Sequence, residues 1–406
     1  MQNTAVYEYI ADINSAIKDK NGPSMVALLK REHISTFRNE LVKIKNLANF
    51  CNRVDAVFQA VVSNHLQSYL QWSEHKFEES YQYEELAVRN FKKAFESDTA
   101  VTWLIPVLRI LIIYLRVTGR QADKELRNKG KKIGREEAAS REINTFFRLC
   151  VGDRSAPEHS KKKAVMMVVN NLFRCYFNLN TINLCSNLID TTEGPGFPPL
   201  SKFPISELVT YKFYSGQLAA FRGEYHKAHE ALSLAFNRCP TSHIQNKRLI
   251  LLYLIPVDML RGRLPTPALL EKYGIKQFIP LVAAVKSGNL GEFNKALDQE
   301  EEFYIKKGIY LLLEKVRMLT YRNLFKKIHT AQGKPTKIFV KHCVYIINHW
   351  MKIETDTDEM MCIFANLIYN GMIKGYLSHT HSCVVVSDTA AFPNIRQIVK
   401  SNNLRW

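Results

Sequence analysis

One segment limits what this chain can fold into: residues 209–240, VTYKFYSGQLAAFRGEYHKAHEALSLAFNRCP, carry two helical patterns separated by a glycine. Gly223 ends the first helix, because glycine readily adopts the left-handed backbone of a helix C-terminus. Tyr225 begins the second helix, and the small side chains of Ala228 and Ala235 let the two helices approach closely. The proline that closes the segment ends the second helix. The segment therefore predicts a helix hairpin.

This hairpin has the spacing of a tetratricopeptide-like repeat, although Lys212 stands where a large aromatic residue is expected. Residues 75–96 form a degenerate copy, and residues 287–296 hold a further turn followed by a helix. One repeat cannot bury its own apolar face, so neighbouring hairpins must stack on it. We predict an all-α superhelical repeat, an α-solenoid, over the first three quarters of the chain. The residues at repeat-like offsets are Gly216, Gly223, Tyr225, Ala228, Leu232, Ala235 and Pro240.

The pattern changes after residue 308. Residues 309–328 predict a helix that is apolar on more than one face, and such a helix is normally buried. A second helix follows, and a third begins at the capping pair Asp356 and Glu359 and ends before Gly371. Two short β-prone runs on either side of residues 378–382 predict a hairpin. This order of elements is that of a winged-helix domain. The predicted inner residues are Phe339, Cys343, Ile346, Ile347 and Trp350 of the second helix and Met360, Ile363, Phe364 and Leu367 of the third.

Composition limits the function. Of the 406 residues, 46% are hydrophobic, enough for a large core, and only 17 are Gly and 14 Pro, which favours long helices over an all-β fold. The 56 Lys and Arg exceed the 38 Asp and Glu, so the net charge is +18. Such a charge predicts polyanionic partners: nucleic acid, an acidic protein or an anionic membrane surface.

Three further features indicate the compartment. The eight cysteines form no C-x-x-C pair, which predicts free, mostly buried thiols in a reducing compartment. Residues 1–20 lack the apolar region of a signal peptide. Residues 101–117 are strongly apolar but contain Arg109 and Arg116, so we expect a buried core helix rather than a membrane span. The protein is expected in the nucleus or cytosol, with no membrane insertion.

Two segments interrupt the helical patterns. Residues 190–204 contain four prolines and two glycines and predict an exposed loop. Residues 124–163 contain 12 basic and 6 acidic residues and predict an irregular basic connection. A nuclear import signal, a second phosphate contact, a partner site and a plain solvated loop all remain open for the basic segment.

The predicted order, helical repeats leading directly into a winged helix, is that of the PCI domain. Three strings at residues 246–266, 302–328 and 362–379 resemble the PCI subunits of transcription-and-export complex 2, which serves mRNA export at nuclear pores. The resemblance spans nearly the whole chain and weakens over residues 20–60 and after residue 390. It implies helical repeats at 1–205, the repeat part of the PCI domain at 206–308, its winged helix at 309–390 and a tail at 391–406.

The resemblance also implies a non-enzymatic scaffold without cofactors. Its partners would be a GANP/Sac-type scaffold protein, a small acidic DSS-type protein, RNA or DNA backbone bound without sequence preference, and indirectly the nuclear pore. The winged helix would hold nucleic acid through its basic residues, because phosphates release counterions on binding. The candidate residues for nucleic acid are Arg322, Lys326, Lys327, Lys334, Lys337, Lys341 and Lys374.

The candidate residues for protein partners lie in two places. Lys247 and Arg248 open an apolar helix and could pair with the acidic small protein. The winged helix would dock on the scaffold protein through apolar residues of its second helix and of its hairpin, in the hairpin Tyr376, Leu377, Val384 and Val386. A structural PCI subunit of a signalosome, proteasome lid or initiation factor, with no nucleic-acid role, is the alternative function.

Other chemistry finds little support in the sequence. The third helix of the winged helix carries Asp358, Glu359 and Asn366 outward, which disfavours reading of a DNA groove. His379, His381 and Cys383 could share one strand face, but the hairpin turn would separate them and no fourth ligand is evident. Residues 226–233 lack the second histidine of a metalloprotease motif, so we interpret His226 and His229 as helix-surface residues. No Walker loop, dinucleotide fingerprint or nucleophile elbow occurs.

Overall fold

The structure is a computed structural model that describes residues 4–98 and 101–400. It divides into two compact units, residues 1–211 and 212–406, and the boundary falls inside one helix. Of the expected C-terminal tail, residues 401–406 lie outside the described residues.

The helices that begin in the first unit are α1 (Thr4–Lys18), α2 (Gly22–Leu29), α3 (Arg31–Ser35), α4 (Arg38–Leu41), α5 (Leu47–Phe50), α6 (Gln59–Ser73), α7 (Phe77–Ser97), α8 (Leu104–Asn128), α9 (Arg135–Val151), α10 (Val165–Asn178), α11 (Leu184–Thr192) and α12 (Ile205–Phe221). Those of the second are α13 (Tyr225–Arg238), α14 (Ile244–Leu260), α15 (Pro267–Lys272), α16 (Phe278–Ser287), α17 (Leu290–Gln299), α18 (Glu301–Lys307), α19 (Tyr310–Ala331), α20 (Val340–Trp350), α21 (Thr357–Tyr369) and α22 (Ile395–Lys400). The strands are β1 (Lys337–Phe339), β2 (Gly375–Ser378) and β3 (Cys383–Val386).

The first unit is a row of helices in which α6, α7, α8, α9 and α10 each pack on the next. The apolar segment at residues 101–117 lies at its centre: Leu108, Leu111, Ile112 and Leu115 of α8 are fully buried. The range Val101–Asn128 is long and apolar enough to cross a membrane, but half of its most apolar window is buried inside the protein. These contacts confirm a core helix.

The prediction for residues 124–163 is wrong in its main point. Most of this segment is helical, since it comprises the end of α8 and all of α9. Its basic residues alternate with buried ones such as Ala139, Ile143 and Phe146, which form the core face of α9. The sequence prediction relied on the number of charges in this segment and overlooked the helical spacing of its apolar residues. The proline-rich loop is confirmed from residue 193 onward, after the end of α11.

The predicted hairpin at residues 209–240 is confirmed as α12 and α13. Gly223 has a φ of +79° in the turn, and Ala228 and Ala235 are fully buried. Gly216 brings the two helices together, because a Cβ at this position would lie 2.7 Å from Cγ of Leu232. The helices of this pair thus touch at a position where only glycine fits.

The winged helix is also confirmed, as α19, β1, α20, α21, β2 and β3. Its sheet has the order β1-β3-β2, and β3 pairs antiparallel with both neighbours. Phe325 of α19 stacks on Phe364 of α21 with ring centroids 4.0 Å apart, at the centre of this domain. Asp356 caps α21 by accepting a hydrogen bond from the Glu359 amide at 2.8 Å, as its sequence position predicts.

Two details of the winged helix differ from the sequence prediction. Strand β1 was not expected, because three residues are too few to show an alternating pattern. The inner stripe of α20 is shorter than predicted: Cys343 and Ile347 are buried, whereas Phe339 is 40% exposed and Trp350 is 80% exposed. Helix α20 packs mainly on α21 and beside β1, and the buried positions of the helix end at Ile347, before its last turn.

Candidate nucleic-acid and partner interfaces

Six of the seven residues predicted to bind nucleic acid are exposed on the winged helix. Five of them follow closely in sequence, from the last turns of α19 through β1 to the first turn of α20, and the sixth directly precedes β2. None of the six forms an ion pair or a side-chain hydrogen bond within the described part of the chain. We call this set the winged-helix basic surface: Lys326, Lys327, Lys334, Lys337, Lys341 and Lys374.

The sheet explains how the last of these lysines joins the others. Lys337 of β1 and Tyr376 of β2 both pair with Val385 of the central strand, so they point to the same side of the sheet. Because side chains alternate along a strand, Lys374 lies on that side too, as does Phe339. The outer face of the sheet therefore combines two lysines with two exposed aromatic rings.

These aromatic rings were not predicted to contact nucleic acid. Tyr376 is 64% exposed, and the Lys341 ammonium lies 5.8 Å from the ring centroid of Phe339. Exposed aromatic rings beside lysines are the usual arrangement for holding single-stranded nucleic acid, with bases stacked on rings and phosphates on cations. Aromatic residues in a short strand would have given that signal, but β1 was not recognised in the sequence.

Arg322 is not part of this surface, contrary to the sequence prediction. Its side chain is only 5% exposed and turns into the domain, where Nη2 donates to the Pro393 carbonyl at 2.7 Å and Nε to the Met372 carbonyl at 3.3 Å. A third bond runs from Nη1 to Oδ1 of Asn323 at 3.0 Å. Burial lowers the pKa of Arg322 to about 10. Arg322 therefore ties the segments on either side of the hairpin to α19.

Helix α21 carries the predicted polar residues outward. Asp358, Glu359 and Asn366 are exposed, together with Tyr369. Two carboxylates at the start of this helix would repel phosphates, so the element that reads DNA in other winged helices is unsuited to that task here.

Several predicted partner residues are buried. Val384 and Val386 lie on the inner face of the sheet and are 0% and 5% exposed, and Leu377 of the same face is half-buried. These side chains form core rather than surface, because alternate residues of β2 and β3 point inward. Of the predicted hairpin set, only Tyr376 is freely accessible.

The predicted site for an acidic protein at Lys247 is also wrong. Lys247 is 6% exposed, and its Nζ donates to the Phe236 carbonyl at 2.8 Å while lying over that ring. The adjacent Arg248 is half-buried. Because Lys247 and Arg248 lie near the start of a helix, the sequence suggested that both face solvent. The packing of α14 on α13 instead encloses Lys247.

Two accessible surfaces contain residues that the sequence analysis did not assign. Helix α20 exposes Tyr345 (57%), for which no prediction was made, and Trp350 (80%), which was predicted to face inward. In the first unit, a groove of about 910 Å³ lies between residues 155–163 and 196–204. Its walls combine the stacked rings of Phe197 and Phe203 with basic residues. The lining cations are Lys162, Lys163 and Lys202, and the lining carboxylate is Glu158.

The predicted chemistry of the histidines can also be compared with the structure. Among the described residues there is no group of three or more His, Cys, Asp or Glu placed to hold a metal ion. Cys383 is buried in β3, whereas His381 is exposed and contacts Ser378. His229 is not simply a surface residue: its Nδ1 lies 2.7 Å from a carboxylate oxygen of Asp258, so it joins α13 to α14. The cysteines are free and seven are buried, and Cys362 is exposed.

Known proteins agree with this architecture. Residues 137–280 match a model of PSMD3-like N-terminal TPR repeats, and residues 290–388 match the PCI domain. The chain is 37% identical to PCI domain-containing protein 2 homolog of Dictyostelium discoideum, covering 96% of this chain and 92% of that one. It is 35% identical to PCI domain-containing protein 2 of Xenopus laevis, covering 98% and 100%.

A protein with a different printed name is also similar. Protein CSN12 homolog of Neurospora crassa is 34% identical over 72% of each chain. The full-length similarity to the first two relatives, together with the repeats and the winged helix, assigns the family. The chain belongs to the PCI domain-containing protein 2 family.

Proposed function

We propose that this PCI scaffold is an RNA-binding subunit of the nuclear transcription-and-export complex 2 and acts in mRNA export at nuclear pores. The observation that carries the proposal is the winged-helix basic surface, with six unpaired lysines and the exposed rings of Tyr376 and Phe339. Its chemistry suits a phosphate backbone and stacked bases, and offers no group that reads a particular sequence. The chain contributes binding and positioning, not catalysis.

The test is the affinity of the full chain for a labelled 30-nucleotide oligouridine as salt is varied. The variant K326E/K327E/K337E removes three phosphate contacts. At about 0.7 per contact for single strands, the slope of log K against log salt should fall by about 2, and the affinity at 0.1 M salt by about a hundredfold.

The matched control is K276E/K286E/K295E, which changes the net charge equally at three exposed lysines of the same unit. The control should bind nearly as the parent chain does. If both variants lose the same affinity, total charge and not this surface determines binding, and the assignment of the surface is wrong.

Of the two elements that the sequence suggested for the scaffold partner, the hairpin is largely buried, so the second helix, α20, remains. We place the GANP/Sac-type protein on the exposed face of α20. Trp350 and Tyr345 expose large aromatic side chains there, and exposed apolar surface of this kind is typical of a protein-protein interface. Replacing both by alanine should abolish co-purification of that protein from nuclear extract while the RNA affinity is kept.

We place the small acidic DSS-type protein in the groove of the first unit. Lys162, Lys163 and Lys202 supply complementary charge there, and Phe197 with Phe203 supplies an apolar wall. The triple lysine-to-glutamate variant should lose the acidic protein but retain the scaffold protein.

A structural PCI subunit without RNA binding is the second candidate, and the similarity to Protein CSN12 homolog favours it. Mass spectrometry of proteins that co-purify after nuclease treatment separates the two. Signalosome, proteasome-lid or initiation-factor subunits in place of the export proteins would overturn the export assignment.

A further inference from the structure

A second basic surface lies on the first unit, on helix α8 and the loop that follows it. Between positions 120 and 135 the chain has seven basic residues and two acidic ones. Five of the basic residues are exposed and form no ion pair or side-chain hydrogen bond with any described residue. We call them the α8 stripe: Arg120, Lys124, Arg127, Lys131 and Lys132.

Helix geometry places the three members of the stripe that belong to α8 on one side of that helix. At 100° per residue, Arg120, Lys124 and Arg127 fall within about 60° of one another around the axis. The buried residues of the same helix, such as Leu115, Ala122 and Leu126, lie on the opposite side against the neighbouring helices. The stripe therefore faces away from the core of the unit.

The two acidic residues of the segment do not neutralise the stripe. Asp123 is buried and accepts hydrogen bonds from the amides of Gly134, Arg135 and Glu136 at 2.8, 2.8 and 2.9 Å, at the start of α9. Glu125 turns to the other side. It accepts from the amides of Phe77 and Glu78 at the start of α7 and pairs with Lys129.

These same bonds hold the loop at both ends. Gly130 has a φ of +65° and ends α8, and the Lys131 amide donates to the Leu126 carbonyl at 2.8 Å. At the far end, the three amides on Asp123 fix the chain as it enters α9. A surface that is ordered before binding loses less entropy when a ligand arrives.

The spacing of the charges suits a polyphosphate. From Arg120 to Arg127 the helix rises about 10 Å, at 1.5 Å per residue. One strand of a duplex carries about three phosphates over that length, at 3.4 Å each, and Lys131 and Lys132 follow in the loop. The stripe has few apolar side chains, with only Ile133 substantially exposed at the loop tip, whereas protein interfaces are built around an apolar centre.

We infer that the α8 stripe is a second RNA-binding site, in the first unit, which holds the phosphate backbone independently of the winged helix. The inference rests on the proposed function only for the ligand class. Each of the two surfaces then makes its own phosphate contacts, and each contributes its own share of the salt dependence of RNA binding.

The experiment compares two variants of the full chain by anisotropy with the 30-nucleotide oligouridine. K124E/R127E/K131E alters the stripe and leaves Arg120, which lies near the buried carboxyl of Glu136, in place. K18E/K43E/K45E makes the same change of charge at three exposed lysines elsewhere in the first unit. Circular dichroism melts confirm that both remain folded.

We expect the stripe variant to lose about a hundredfold in affinity at 0.1 M salt and about 2 from the salt slope, and the control to lose little. Equal behaviour of the two variants overturns the inference. Loss only in K326E/K327E/K337E also overturns it and leaves the proposed function standing. Loss only in the stripe variant upholds the inference and removes the winged helix as the RNA surface.

A competitor decides between RNA and an acidic protein. A polyglutamate peptide of about 30 residues should displace the oligouridine only weakly, because each glutamate side chain loses rotamer freedom when it is held, whereas the phosphates are part of the RNA backbone. Displacement at equal concentration of charge would assign the stripe to an acidic protein and overturn the RNA site.

Discussion

Arg322 offers a direct test of how this structure divides stabilising from binding residues. Arg322 lies about one helical turn before Lys326 and Lys327, which predicts that all three contact phosphates. In the folded domain, however, Arg322 is buried. The variant R322M keeps an unbranched apolar stem, although a shorter one, and removes the charge and all hydrogen-bond donors. The carbonyls of Met372 and Pro393 then lose their hydrogen bonds.

The magnitude follows from those two bonds. A hydrogen bond from a charged donor contributes about 1.5 kcal/mol or more, so losing two of them costs about 3 kcal/mol. Each step of 1.36 kcal/mol is tenfold in an opening equilibrium, so about a hundredfold faster exchange is expected. The affected amides are those of Gly375–Ser378 and of residues 388–394, whose segments Arg322 holds.

Hydrogen exchange with mass spectrometry measures this effect on the full chain, and anisotropy with oligouridine measures binding on the same sample. R322M should speed exchange and change RNA affinity less than about threefold, whereas K326E/K327E/K337E should do the reverse. R322K should be intermediate, because one ammonium cannot reach acceptors that lie on separate segments. Unchanged exchange combined with a large loss of RNA affinity would refute the structural role.

Three other predictions concern stability. His65 bridges Glu84 at 3.1 Å and the Leu29 carbonyl at 2.9 Å. Burial alone raises the pKa of Glu84, but the interactions with His65, Arg31 and Ser68 together outweigh burial and lower that pKa. The pair thus stabilises the protein above the pKa of an unfolded Glu and is lost on acidification, so E84Q should cost about 3 kcal/mol at pH 7 and flatten the acid side of a plot of melting temperature against pH. G216A should lower the free energy of unfolding by about 1–3 kcal/mol, because the added methyl group forces α12 away from α13. Urea titration measures this loss, which should exceed that of a substitution at an exposed position. K247M should lower the melting temperature through the lost bond to α13 and leave capture of the acidic protein intact; loss of that capture at unchanged stability would contradict the assignment of Lys247 to the core.

The sequence by itself determined much of the architecture. Gly223, Ala228 and Ala235 specify the α12–α13 hairpin through local rules of helix ending and close approach, and the Asp356 cap specifies the start of α21. Such features depend on residues within one or two turns of each other. The predicted winged helix followed from the order of these local elements, which is why it could be recognised without contacts.

Only the tertiary structure decided which side chains are accessible. The sequence assigned Arg322 to the same surface as Lys326, and Val384 and Val386 to the same surface as Tyr376. In the structure Arg322, Val384 and Val386 are buried, whereas Lys326 and Tyr376 are exposed. Burial depends on neighbours that are distant in sequence: Arg322 meets Met372 and Pro393, 50 and 71 positions away.

Packing also determines where the basic residues form surfaces, in the α8 stripe and in the winged-helix basic surface. Charge counts predicted an irregular connection at residues 124–163, whereas the structure forms two helices there and aligns the cations of α8 on one exposed face. The total charge of +18 is a property of the sequence. Its division into two surfaces arises in the fold, because packing fixes which face of each helix meets solvent and which carboxylates are already occupied as helix caps.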